Sequence, residues 1–123
     1  MKQLLVVDDE AAICEFVQTV AESCGYRVKT CTDEQQVMAA IALAQPDVIV
    51  LDLTMPTLDG IEVLRNLADQ RSQASIFIMS GFDARVRDVA FDLGKVLGLS
   101  MAGIIPKPVR APALRELLAP LAA

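Results

Sequence analysis

The stretch Val48-Ile49-Val50-Leu51-Asp52-Leu53-Thr54-Met55-Pro56 decides how this chain folds. Four consecutive apolar residues, three of them β-branched, read as a strand buried on both faces, because a strand covered on one face alternates apolar with polar. The run stops at a carboxylate. Pro56 cannot continue a strand ladder, and the carboxyl end of a buried strand is where open α/β sheets place their ligands. Asp52 is therefore the lead functional residue.

On the N-terminal side, Leu4 to Val7 is a short apolar run that ends in Asp8-Asp9-Glu10. Ile13, Phe16, Val17, Val20, Ala21 and Cys24 then recur at helical spacing, and Gly25 supplies a stop. Tyr26 to Cys31 alternates as a half-buried strand does, which predicts an edge position. Thr32 with Gln35 resembles a capping box, and Val37, Ala40, Ile41 and Ala44 form a helical stripe that ends before Pro46.

On the C-terminal side, Asp59-Gly60 leads into a helix with Ile61, Val63, Leu64 and Leu67 inward. Ser75 to Met79 reads as a strand closing on Ser80-Gly81. Val86, Val89, Ala90, Leu93 and Leu97 mark a fourth helix begun near Asp83, with Gly94 and Gly98 weakening its last turns. Met101 to Ile105 is a fifth strand closing on Pro106-Lys107-Pro108. Leu114, Leu117, Leu118 and Leu121 define the last helix, with Pro112 in its first turn. Five strand-and-helix units in strict alternation predict an α/β fold: a parallel sheet, helices on both faces, right-handed crossovers.

Composition narrows the function. At 123 residues the chain is one domain that can bury a core without disulfides or a structural metal. It is 54% hydrophobic, yet no apolar run approaches the roughly 18 residues of a membrane span, and Met1-Lys-Gln opens a strand rather than a signal peptide. A cytoplasmic, unprocessed protein is expected. Cys14, Cys24 and Cys31 have neither CxxC nor metal-ligand spacing and read as small buried thiols. A net charge of −5 with few aromatics argues against nucleic-acid binding and for protein partners. With no histidine, the chain carries no Ser-His-Asp or Cys-His site and no phosphohistidine.

In a parallel sheet all strand carboxyl ends share one edge, so Asp8, Asp9, Asp52, Ser80 and Lys107 converge there. No glycine-rich phosphate loop follows the first strand. Three carboxylates and one ammonium leave a local charge of about −2, which a divalent cation offsets. Oxygen-only ligands favour a hard ion, and Mg²⁺ fits best because it takes one or two carboxylates and coordinates phosphate. Asp52 is then a carboxylate nucleophile for phosphorus. Lys107 and the Ser80 hydroxyl are placed to neutralise the charge-spread transition state.

Taken one at a time, each residue has a plainer reading. Asp8 and Asp9 suit a helix N-terminus, Asp52 and Ser80 suit turns, and Lys107 suits a solvated surface. Their joint position after strands one, three, four and five is what selects the functional reading.

Over essentially its whole length the chain resembles the receiver domains of two-component response regulators. The matching elements are the Asp8-Asp9 pair, Asp52 within DLTMP followed by Asp59-Gly60, Ser80-Gly81, and Lys107-Pro108. The resemblance implies a flavodoxin-like doubly wound sheet of five strands in order 2-1-3-4-5 with five helices, the order the fold shares with a well-known member of this family. It implies that Asp52 accepts a phosphoryl group from a phosphohistidine on a sensor histidine kinase. Asp9 and Asp52 then ligate Mg²⁺ directly, the Thr54 carbonyl completes the protein ligands, and Asp8 acts through a water. It further implies a cis Lys107-Pro108 bond, and a switch that draws Ser80 inward and remodels the face of the fourth helix, fifth strand and fifth helix.

Two features depart from the family pattern. Three residues before the lysine, where Tyr or Phe usually rotates between states, stands Ile104. The span from Ser80 to Lys107 is roughly one helical turn, about 3.6 residues, longer than usual. That length is similar to receivers preceding cyclic-di-GMP phosphodiesterase (EAL) domains, which implies a C-terminal EAL-like output domain in a longer regulator. The Leu-rich last helix reads as core, with apolar surface to spare for a homodimer face.

Two other classes compete. One is a degenerate receiver that binds partners without phosphorylation, against which every site position is filled. The other is a haloacid-dehalogenase-like phosphatase with Asp8 as nucleophile, against which Asp8-Asp9-Glu10 lacks a second Asp two residues on and the chain is short for that fold.

Overall fold

A computed structural model describes residues 1–53, 59–81 and 84–122. In chain order the elements are β1 (Gln3–Val7), α1 (Ala11–Ser23), β2 (Arg27–Cys31), α2 (Glu34–Leu43), β3 (Val48–Asp52), α3 (Gly60–Asp69), β4 (Ser75–Ser80), α4 (Ala84–Val96), β5 (Ser100–Pro106) and α5 (Ala111–Leu118), with a 3₁₀ turn at Ala119–Leu121. All strand pairs are parallel, in the order β2-β1-β3-β4-β5. This is the expected flavodoxin-like order, and its neighbours β1 and β3 leave the sheet in opposite directions, which opens a crevice at their carboxyl ends.

The sheet divides the core in two. On one face Leu5, Val7, Ile49 and Leu51 meet Val37 and Ile41 of α2 and Val63, Leu64 and Leu67 of α3. On the other Leu4, Val6, Val48 and Val50 meet Val17 and Val20 of α1 and Leu114 and Leu118 of α5. Every residue of β3 is buried, as its unbroken apolar run predicts. Each such fully buried side chain contributes about 1.5–3 kcal/mol of transfer free energy. With both faces covered, β3 is the rigid floor from which Asp52 projects.

Two local readings change. The cap of α2 is Asp33, not Thr32: its carboxylate accepts from Gln36 N–H at 2.9 Å, while the Gln36 amide oxygen accepts from Thr32 N–H at 2.7 Å. Gln36 thus bonds back to the residue before the cap rather than to the cap itself, so the two bonds bracket the helix start without closing a reciprocal box. The α3 helix stops without glycine, at Arg71 with φ 55°.

The α4 stripe is only partly as expected: Ala90 is buried and Leu97 packs against the core, but the valines of its first turns are not inward. Val86, Val89 and Val96 are 49%, 63% and 83% exposed, while Ala90 and Gly94 are buried. Gly94 is no weak point. A Cβ there would collide with the Met101 thioether of β5, so glycine is what lets α4 lie close on the sheet. The expected start near Asp83 lies outside the described residues. In β5 the register steps from Ile76↔Met101 to Phe77↔Gly103, so Ala102 is an extra, bulged residue.

Candidate phosphoacceptor site

Strand ladders run slightly past the strands and fix the site from below. Asp8 N–H donates to the Cys31 carbonyl at 3.1 Å, extending the β1–β2 pairing by one residue. Lys107 N–H donates to the Ser80 carbonyl at 3.1 Å, doing the same for β4–β5. Asp52 is the last residue of β3, in register with Met79. Backbone pairing thus sets where Asp8, Asp52 and Lys107 begin, before any side-chain contact forms.

The side chains converge. One carboxylate oxygen from each of Asp8, Asp9 and Asp52 lies within 4.8 Å of the others. Lys107 Nζ bridges two of them, donating to Asp8 Oδ2 at 2.9 Å and to Asp52 Oδ2 at 3.2 Å. Asp8 and Asp52 are buried and Asp9 is exposed, so the cluster opens to solvent on the Asp9 side. Ser80 is buried at the end of β4, on the same edge, with its hydroxyl making no hydrogen bond among the described residues. Thr54 lies outside the described residues. The Lys107-Pro108 bond is cis, as expected.

The plainer reading of Asp8 and Asp9 fails. The N-cap of α1 is Glu10, which makes no side-chain cap bond. Asp8 Oδ1 instead accepts from Glu10 N–H at 2.9 Å, which orients its other oxygen toward Lys107.

The cluster is short of positive charge. Burial pushes the Asp8 carboxyl above its usual value; the Glu10 N–H and Lys107 oppose this, and the Asp52 charge adds to it. Burial works to lower the Lys107 ammonium, but its hydrogen bond to Asp8 and the Asp52 charge outweigh it, so its pKa is raised. A single ammonium therefore leaves Asp8 under-compensated. A hard divalent ion suits this oxygen-only set and that deficit.

Two features escaped the sequence reading. Cys14 Sγ donates to the Asp8 carbonyl at 3.3 Å, so the thiol tethers α1 to the acidic loop. Nothing in the sequence separates this cysteine from an ordinary core residue. Beside Lys107 an open cleft of about 410 Å³ is lined by Ile13, Phe16, Met79, Pro108 and Val109. It joins α1 to the loop after β5, positions whose proximity only the fold reveals.

The family model of the response regulator receiver domain matches residues 4–119. The alkaline phosphatase synthesis transcriptional regulatory protein PhoP of Bacillus subtilis is 39% identical over 100 residues, covering 81% of this chain and 39% of that protein. A response regulator structure from Colwellia psychrerythraea superposes with a TM-score of 0.84 at 32% identity, covering 98% of this chain and 96% of the other. Chemotaxis response regulator CheY4 of Vibrio cholerae gives a TM-score of 0.81 at 26% identity, covering 98% of each. The chain spans less than half the length of the curated relatives it matches. Among the described residues no helix is long and apolar enough to cross a membrane. With the acidic cluster, the bridging lysine and the sheet order all in place, the chain belongs to the response regulator receiver domain family of two-component signalling.

Proposed function

We propose that Asp52 is the phosphoacceptor, and the observation that carries this is Lys107 bridging Asp52 and Asp8. The bridge holds a cation against the nucleophile at the sheet's ligand-binding edge. In the reaction an Asp52 oxygen forms a bond to phosphorus while the phosphorus–nitrogen bond of a donor phosphohistidine breaks, its electron pair returning to the imidazole. The donor is a sensor histidine kinase, since this chain has no histidine of its own.

Each residue has one task. Lys107 keeps Asp52 oriented before transfer and neutralises a phosphoryl oxygen after it. The unengaged Ser80 hydroxyl is available to a second phosphoryl oxygen. Asp8, Asp9 and Asp52 would hold Mg²⁺, with the Thr54 carbonyl as a further ligand. Bound there, the ion supplies charge neutralisation for the transferring phosphoryl group. The cleft of Ile13, Phe16 and Val109 beside Lys107 suits an apolar helix of the kinase, which would bring its phosphohistidine to the open Asp9 side.

An output domain beyond the receiver, EAL-like by the length of the Ser80–Lys107 span, completes the reading, as does phosphorylation-dependent use of the α4, β5 and α5 surface. The test is incubation with Mg²⁺ and a small acyl phosphate, followed by intact mass. One added phosphoryl group that is base-labile, Mg²⁺-dependent and absent from Asp52→Asn is expected. An adduct surviving in Asp52→Asn but lost in Asp8→Asn would assign a phosphatase-like nucleophile instead. No adduct under any condition would make the chain a phosphorylation-independent binding module.

A further inference from the structure

The second surface lies at the opposite side of the sheet from β5. Strand β2 is the sheet edge. Arg27 N–H donates to the Lys2 carbonyl, and the Cys31 carbonyl accepts from Asp8, so the peptide groups of Arg27, Lys29 and Cys31 all face β1. Successive peptide groups alternate, which turns the N–H and carbonyl groups of Val28 and Thr30 outward, toward an absent neighbour.

A cleft of about 290 Å³ lies directly beside that edge, under the last turn of α2. Leu5 lies at its floor, and its wall is Ala40, Leu43 and Ala44. Ala40 and the C-cap Ala44 have side chains too short to fill the space between the helix end and the sheet. Leu43 stands at its lip, 86% exposed. The cleft is small for an independent ligand but suits one or two side chains.

Arg27 and Lys29 line the same cleft. Register places them beside Gln3 and Leu5, on the α2 side of the sheet. Both are exposed, and neither side chain makes a hydrogen bond or ion pair among the described residues. In a chain of net charge −5 this is a local positive rim around an apolar hole.

We infer that this edge is a docking site for an extended acidic segment of a partner protein, which adds a strand to β2 and places one apolar side chain in the cleft. The backbone groups of Val28 and Thr30 supply the pairing, the cleft takes an inward side chain, and Arg27 and Lys29 take the carboxylates two residues to either side. This is strand addition with a pocket for specificity. A second copy of this chain is the wrong occupant. A two-fold pairing of β2 with β2 would bring the four cations together, and like charges across a strand pair repel. Charges on an edge strand also discourage indiscriminate pairing, which leaves an acidic strand as the one that is welcomed.

The probe is a blocked six-residue peptide with Leu at its third position, Glu at its first and fifth, and Thr at the others, so that Leu and both Glu share one strand face, titrated into the ¹⁵N-labelled chain. Saturable amide shifts at Val28, Thr30 and Leu43 are expected. The double substitution Arg27→Glu with Lys29→Glu, on exposed positions that leave the core intact, weakens binding about tenfold or more. Ala40→Leu, which fills the cleft, weakens it as well. The same peptide with Lys in place of both Glu leaves the spectrum unchanged. The inference is overturned if the acidic peptide produces no shifts at β2, if the charge-reversed chain binds it equally well, or if the lysine peptide binds as tightly. It is also overturned if laurate saturates the cleft while the peptide does not, because the site would then belong to a small amphipathic anion.

Discussion

Replacing Lys107 with methionine keeps most of the side chain's volume and removes its charge, and the structure assigns the two consequences opposite signs. Lys107 Nζ holds two buried carboxylates at 2.9 and 3.2 Å. Breaking a fully buried pair by removing one partner costs about 3–5 kcal/mol. Here the site opens to water on the Asp9 side, so a loss of about 1–3 kcal/mol is expected without Mg²⁺. Cation affinity moves the other way. An ammonium roughly 5 Å from a divalent ion repels it by about 1.7 kcal/mol even at a water-like dielectric of ~80. Both cations would be held by a cluster whose carboxylate oxygens lie within 4.8 Å of one another. Removing the ammonium therefore tightens Mg²⁺ binding somewhat more than tenfold.

Calorimetric titration with Mg²⁺ reads the affinity, and urea unfolding followed by circular dichroism reads stability with and without the ion. The variant is less stable than the parent in chelator. Saturating Mg²⁺ narrows that gap, because a ligand bound more tightly stabilises more. Unchanged or weaker Mg²⁺ binding in Lys107→Met would refute the view that lysine and cation share one acidic cluster.

Three further outcomes follow from named contacts. The buried Tyr26 hydroxyl donates to the Leu118 carbonyl at 2.8 Å, and burial pushes its pKa up from 10.0 to about 12. Its contribution is complete below pH 10, where the unfolded phenol is still protonated, and is lost as pH rises toward 12. Tyr26→Phe therefore costs about 1 kcal/mol at pH 8, and by pH 11 the parent loses about 1.4 kcal/mol that the variant does not, so urea midpoints converge. Gly94→Ala gains less than the roughly 1 kcal/mol of helix stability it normally brings, since its Cβ displaces the Met101 thioether, the flexible end of that side chain. In a Met101→Ala background the same change recovers the full gain, read by thermal melts of the four-protein cycle. Arg71→Gly relieves a left-handed residue at φ 55° and raises stability by about 1 kcal/mol in urea titration.

The central strands and the site were legible because they depend on unbroken patterns. β3 is buried on both faces, so its apolar run cannot shift register without burying Asp52 further inside. Asp8, Asp52, Ser80 and Lys107 were found by asking which polar residue follows each strand, a question of position in the chain. What escaped depends on distances between elements. The phase of α4 is set by Gly94 and Ala90 against Met101, small residues that carry almost no hydrophobic signal while the exposed valines carry most of it. The α2 cap moved by one residue because Thr32 and Asp33 are both good caps and only the backbone decides between them. The Cys14 bond to Asp8 and the two apolar clefts join segments far apart in sequence.

The departure at Ile104 gains a physical context from that same misread helix. Ile104 pairs with Ile78 in a sheet edge that carries the Ala102 bulge, and it is only partly buried. A branched aliphatic has no polar tip and no large ring to exchange between core and solvent, so its rotamers change the surface little. The neighbouring helix is differently built. α3 is anchored by Val63, Leu64 and Leu67, whereas the wholly buried positions described on α4 are Ala90 and Gly94. Apolar burial contributes roughly in proportion to area, so displacing α4 costs much less than displacing α3. Among the described residues α4 therefore buries less side-chain area than α3, and it is the cheaper of the two helices to displace.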